Sequence, residues 1–193
     1  MDFRRLIIEE SSKLEELHAE IHRAVALRDR DVVHRRAWEQ ACKEFHSYSS
    51  SLDTFFERAC DDDRYSDRDL IEFAICFLEV DPMFFRSGYL KQIVITRLKR
   101  SELREGDKSR LRGVVWDAVN RRGTREFKYY CRMATKLADD VLVKQLEGAR
   151  LEEGSARASR ASMMLDHVSQ SLGKHNRPLH AIARRLAPHE RQS

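Results

Sequence analysis

The sequence predicts an all-α protein of about nine helices in antiparallel pairs, stacked as an α-solenoid or gathered into an irregular helical bundle. Three observations carry this expectation. Apolar residues recur at helical spacing from end to end, and no segment alternates as a strand would. Only three prolines and seven glycines interrupt 193 residues, so long helices are permitted almost everywhere. Charged residues make up 35% of the chain, above the globular norm of about 25%, as expected where Lys, Arg and Glu coat solvated helix faces.

Taken in order, Leu14, Leu17, Ile21, Ala24 and Val25 form the apolar stripe of a first helix, and the polar RDRD segment from Arg28 to Asp31 ends it. Ala37, Trp38, Ala41, Cys42, Phe45 and Tyr48 mark a second. Ser49 to Ser51 close that helix and offer a cap for a short third, whose apolar face is Leu52, Phe55, Phe56 and Ala59. Asp61 to Asp63 form a loop. Ser66 or Asp67 then caps a helix that is apolar on nearly every side, from Leu70 to Val80. Such a helix belongs at the centre of a fold. Pro82 lacks an amide hydrogen and restrains Asp81 from helical geometry, so the helix stops there.

The next helix carries Phe84, Phe85, Tyr89, Leu90, Ile93, Val94, Ile95 and Leu98, with Gly88 inside it. A loop from Ser101 to Asp107 leads to a helix bearing Leu111, Val114, Val115, Ala118 and Val119, ended by Gly123. Thr124 caps a further segment through Leu142, broken near Asp139-Asp140. Ala158 to Leu172 form another helix, and Leu179, Ile182, Ala183 and Leu186 a short last one. Composition divides the chain into a helical core domain over 1–150 and peripheral, partly mobile C-terminal helices over 151–193.

The blocks AWEQACKEFHSY (Ala37 to Tyr48), FLEVDPMFFRSGYLK (Phe77 to Lys91), RLKR (Arg97 to Arg100) and REFKYYCRMA (Arg125 to Ala134) together resemble a recurring set in small bacterial proteins. The Asp-Pro turn followed by a second helix also looks like the HEAT or armadillo type of helical repeat, whose helix pairs recur at comparable spacing. The resemblance implies a helical fold and brings no activity and no functional residue with it.

The net charge of +4 is small, but it is unevenly spread. Asp53 to Asp81 hold ten acidic and three basic residues, a balance of −7, and Arg97 to Arg132 hold twelve basic and five acidic, a balance of +7. The two runs either face opposite ways or neutralise one another. No apolar run approaches the ~20 residues of a membrane span, and MDFRRLIIEESSKLEE lacks the apolar core of a signal peptide. Cys42, Cys60, Cys76 and Cys131 include no CxxC pair. They read as reduced thiols of a soluble, cytoplasmic protein.

Candidate functional residues are few. Arg86 and Tyr89 in FFRSGY are typical interface anchors, although Arg86 could instead lock the turn onto Glu79 or Asp81. Arg121, Arg122, Arg125 and Lys128 gather around the RRGTRE joint, where a helix start would favour an anion. Glu15, His18 and His22 make one ExxH element with a second histidine, but a di-metal carboxylate site needs a second such element. The Asp61 to Asp63 run lacks an EF-hand pattern. There is no GxSxG and no glycine-rich phosphate loop, and His46, Ser47 and Asp53 are near in sequence without triad geometry. No catalytic residue, metal or cofactor is therefore assigned. The expected function is non-enzymatic protein binding, as an adaptor, regulator or immunity-type protein. The alternatives are a nucleic-acid or phosphate binder through the basic run 97–128 and an enzyme without a recognisable motif.

Overall fold

The computed structural model describes residues 1–121, 123–152 and 154–185, the stretch 172–185 as helical backbone. Among the described residues there are nine helices and no strand, which agrees with the all-α expectation. Backbone contacts divide the chain into two units, Met1–Val114 and Val115–Ser193.

In the first unit, helix α1 spans Phe3–Val25 and starts from Asp2, whose carboxylate accepts the Arg5 amide. It therefore begins well before Leu14. Its inward stripe is Phe3, Ile7, Glu10, Leu14, Leu17, Ile21 and Ala24, all buried or half-buried, at alternating steps of four and three. Glu10 interrupts the apolar pattern, which is why the first half escaped a reading based on hydrophobic periodicity. Its carboxylate accepts the Tyr48 hydroxyl at 3.0 Å. Burial, then this carboxylate, push the Tyr48 phenol up to about 12.

Helix α2 spans Val32–Ser47, with Asp31 accepting the His34 amide as its cap. Short helix α3 spans Asp53–Asp61. Ser50 closes the turn before it by accepting the Leu52 amide. Helix α4, Arg68–Val80, is capped by Asp67 and buries Leu70, Ile71 and every residue from Phe73 to Leu78. It is the centre of this unit. Six phenylalanines form a connected edge-to-face and stacked cluster around it. Phe73 lies 5.7 Å from Phe3, 5.4 Å from Phe55, 5.3 Å from Phe56 and 6.2 Å from Phe77, and Phe77 lies 6.3 Å from Phe84. Such pairs add roughly 0.5–1.5 kcal/mol each beyond the area they bury. Helix α5, Ser87–Arg100, turns Val94, Ile95 and Leu98 inward. α1 packs on α2 and α4, and α3 packs on α4 and α5.

Helix α5 starts three residues later than the sequence suggests. Phe84 and Phe85 belong to the preceding loop, because Arg86 holds a left-handed backbone, φ 69°, that no helix accommodates. Helix α6, Glu105–Asn120, begins inside the expected Ser101 to Asp107 loop.

In the second unit, helix α7 spans Phe127–Leu137 and α8 spans Asp140–Arg150, with Asp139 capping α8 through the Leu142 amide. The break near Asp139-Asp140 is thus present. Thr124 does not cap α7: its carbonyl accepts the Phe127 amide, and the helix starts after Glu126. Helix α9 runs from Ala156 to Arg185 without the expected interruption; Leu186, placed in the separate last helix, lies outside the described residues. α9 packs on α7 and α8; Ala161, Met164 and Val168 of α9 are buried, as are Tyr130, Cys131, Ala134 and Leu137 of α7 and Leu142 and Leu146 of α8. The Arg160 Nε donates to the Val119 carbonyl at 2.8 Å, and the Arg157 guanidinium lies 5.1 Å from the Trp116 ring.

Candidate partner-binding site

The loop between α4 and α5, Asp81 to Arg86, is held by side chains of the helix that follows it. Asp81 and Arg86, at its two ends, are the positive-φ residues other than glycine among the described residues, at 51° and 69°. A left-handed conformation costs a non-glycine residue about 1–3 kcal/mol and persists only where its surroundings impose it. Here they do. Lys91 occupies an inward position of α5, in line with Ser87, Val94 and Leu98, and is 1% exposed. Its ammonium reaches back 2.7 Å to the Asp81 carboxylate and lies 3.9 Å from the Met83 sulfur. The buried Ser87 hydroxyl accepts the Phe84 amide at 3.3 Å, while Phe84 itself is tied into the phenylalanine cluster.

This anchored backbone turns two apolar side chains outward. Met83 is 64% exposed and Phe85 54%. Together with Glu15, His18, Ala19, His22 and Phe84 they line a groove of about 520 Å³. Phe85 lies 5.3 Å from the His18 ring and 6.4 Å from the Phe45 ring, and His18 meets His22 edge-on at 4.5 Å. One wall of the groove is thus loop, and the other is the outward face of α1.

Arg86 is next to Phe85, its guanidinium 5.5 Å from that ring. It does not lock the turn onto Glu79 or Asp81. Glu79 is taken by Arg110 and Arg4, and Asp81 by Lys91. Tyr89, 52% exposed, follows on the first turn of α5.

The basic run meets the acidic run instead of standing apart. Within the first unit, Arg97 and Arg100 pair with Asp63. Arg110 straddles α4, its Nε and Nη2 on the Glu79 carboxylate at 2.8 and 2.9 Å and its Nη1 on Glu72 at 2.6 Å. Arg68 grips Asp107 through two bonds of 2.8 and 2.9 Å. Hydrogen bonds from Arg110 hold Glu79 and Glu72 below the usual carboxylate range, and those from Arg68 do the same for Asp107.

Of the residues around the RRGTRE joint, Arg121, Arg125 and Lys128 are exposed in the second unit, and Arg122 lies outside the described residues. Arg121 pairs with Asp117 at 3.7 Å. Lys128 and Arg132 both sit over the Tyr129 ring, each 5.4 Å from its centre.

The chemistry considered from sequence is not assembled by the fold. His46 Nδ1 is bonded to the Cys42 carbonyl at 2.6 Å and Ser47 to the Glu44 carbonyl, one turn back on their own helix, while Asp53 accepts from Ser49 and Ser50. Among the described residues no three His, Cys, Asp or Glu side chains come together as metal ligands. Burial pushes the Cys76 and Cys131 thiols up to about 11, so neither is a thiolate at neutral pH. No helix among the described residues is long and apolar enough to cross a membrane.

No protein family, curated protein or solved structure matches the chain.

Two features of the groove were missed from sequence. One is Lys91, whose signal is a charge on the same inward register as Val94 and Leu98. The other is the meeting of His18 with Phe85, which has no sequence signal because it joins residues far apart in the chain.

Proposed function

We propose that the protein is a non-enzymatic protein-binding module, an adaptor, regulator or immunity-type protein, that docks a partner segment in the groove beside Met83, Phe85 and Arg86. One observation carries this reading: large apolar side chains face outward from a loop whose backbone is held by a buried ion pair. A hydrophobic group that merely lacked a place in the core would need no such support. Exposed aromatic groups on a rigid frame, with an arginine at the rim, are the usual composition of an interface hot spot. The partner is a protein segment with an aromatic or long aliphatic anchor close to a carboxylate. The anchor fills the groove. The carboxylate meets Arg86, which has no acidic partner among the described residues.

Peptide display on the full chain tests this. Selected peptides should share an apolar anchor near an Asp or Glu, and Phe85→Ala or Arg86→Glu should weaken them about ten-fold or more. Both side chains are exposed, so both variants should melt like the parent. Peptides indifferent to both changes, or no such consensus, would overturn the reading.

The nucleic-acid alternative loses support in the first unit, where Arg97, Arg100 and Arg110 are spent on acidic residues of the same unit. A cytoplasmic, bacterial setting belongs to the same proposal, and thiols such as Cys76 and Cys131 suit a reducing compartment. Of the two helical architectures we favour the irregular bundle over HEAT-like stacking for the first unit, because α1 reaches past α2 to α4 and α3 past α4 to α5.

A further inference from the structure

A second concavity in the first unit has a different chemistry. It measures about 470 Å³, a size common for small-molecule sites, and its wall includes Arg64, Ser66, Arg68, Ile71, Glu102 and Arg104. The three guanidiniums come from two parts of the chain, the loop entering α4 and the loop entering α6. Arg68 opens α4 and Arg104 immediately precedes α6, and of the acids at these helix starts Asp67 is paired with Arg58 and Asp107 with Arg68.

The state of these arginines sets the site apart. Arg68 is fixed by its two bonds to Asp107, and the Arg104 amide donates to the same carboxylate at 2.8 Å. The backbone at Arg104 is therefore anchored while its side chain extends free. Among the described residues neither the Arg64 nor the Arg104 guanidinium makes a hydrogen bond or ion pair. Neighbouring Arg97, Arg100, Arg110 and Arg112 are all paired with acids. Glu102 is the acid on the wall; it is exposed and makes no ion pair with either arginine. The buried Tyr65 is spent, its hydroxyl on the Ala59 carbonyl and its amide on Ser101, so it braces the floor. The Ser66 hydroxyl is exposed and adds a donor.

We infer that this pocket binds a phosphorylated small molecule, its phosphate held between Arg64 and Arg104 and its organic part against the half-buried Leu103. Two guanidinium forks give a phosphate up to four charge-assisted hydrogen bonds. The volume exceeds what a bare phosphate fills, and Leu103 supplies an apolar wall, with the buried Ile71 behind it. The site shares no lining residue with the groove at Phe85 and does not depend on the docking proposed there.

The test uses the full chain with phenyl phosphate, adenosine monophosphate and inorganic phosphate as probes, read by calorimetry and by melting temperature. The two esters should bind saturably and more tightly than inorganic phosphate. The double variant Arg64→Ala/Arg104→Ala should lose about ten-fold or more in affinity. Its melting temperature without probe should match the parent, since both side chains are exposed and unbonded, and Arg86→Ala should bind the probes like the parent. A double variant that binds as well as the parent, or no saturable binding of either ester up to about 10 mM, overturns the site. A phosphoserine-containing peptide serves as a fourth probe, and tight binding confined to it also overturns the site, making the pocket a protein-docking feature.

Discussion

Lys91 and Glu10 both occupy positions on inward helix faces where an apolar side chain would normally sit, and each has a specific partner. Glu10 receives the Tyr48 hydroxyl, and Lys91 meets Asp81. A buried ion pair contributes little net stability relative to an apolar replacement, but removing one partner strands the other charge. Lys91→Met should therefore destabilise the protein by about 3 kcal/mol, at the low end of the range for a broken buried pair because the Asp81 side chain stays 24% exposed. The double variant Lys91→Met/Asp81→Asn should recover part of that loss. Urea unfolding measures both, and a Lys91→Met midpoint equal to the parent's would show that the pair does not hold the loop. Both charges are visible in the sequence, and both interrupt an apolar register. What they pair with is not visible, since Glu10 and Tyr48 lie 38 residues apart.

At the scale of elements, α4 was the most legible part of the chain. Its apolar residues cover every side, its stop is written in Asp81-Pro82, and eight of its thirteen residues are buried. Phe77 is fully buried and touches Phe56, Phe73 and Phe84. A carboxylate there has no donor to meet, so Phe77→Asp should abolish cooperative unfolding of the first unit, whereas Phe77→Leu should fold with a loss of about 1–2 kcal/mol. Circular dichroism during urea titration separates the two. A cooperative Phe77→Asp transition would remove α4 from the centre. Helix starts were less legible than helix middles. The α5 start depends on a left-handed Arg86, which local propensity does not foretell because its cause is the packing of Phe84 and Lys91. The Arg86 and Tyr89 candidates were found for their residue types alone. The groove that gives Arg86 a context comes from α1, more than sixty residues earlier in the chain.

For the whole molecule, the net charge of +4 conceals the ion pairing that joins the acidic and basic runs within the first unit. Sequence alone left two options, separation or neutralisation, since the contacts that decide between them span more than thirty residues. Glu72, Glu79 and Asp107 all titrate below their ordinary range because Arg110 and Arg68 hold their charged forms. A depressed carboxylate stabilises the fold at any pH above its unfolded value and loses that contribution as pH falls through its folded value. Stability should thus be insensitive to these groups near neutrality and fall below about pH 4. Arg110→Met should cost about 1–2 kcal/mol near neutral pH, a modest figure because the pair is partly solvated. Its decline in acid should be shallower, so the two stability curves converge as pH falls. Parallel curves from neutral pH to about 2.5 would show that the pairing is not linked to folding.

Under the docking proposed above, the clamp between Lys91 and Asp81 would also set how fast and how selectively a partner is taken up. A flexible recognition loop must be frozen at each encounter, which slows association and lets many shapes be accommodated. A segment approaching Phe85 and Arg86 meets a backbone that has already surrendered its freedom, so only the incoming chain loses entropy. The trade is tolerance: a frame fixed in advance discriminates by shape, and partners of similar charge but wrong contour dissociate before they settle.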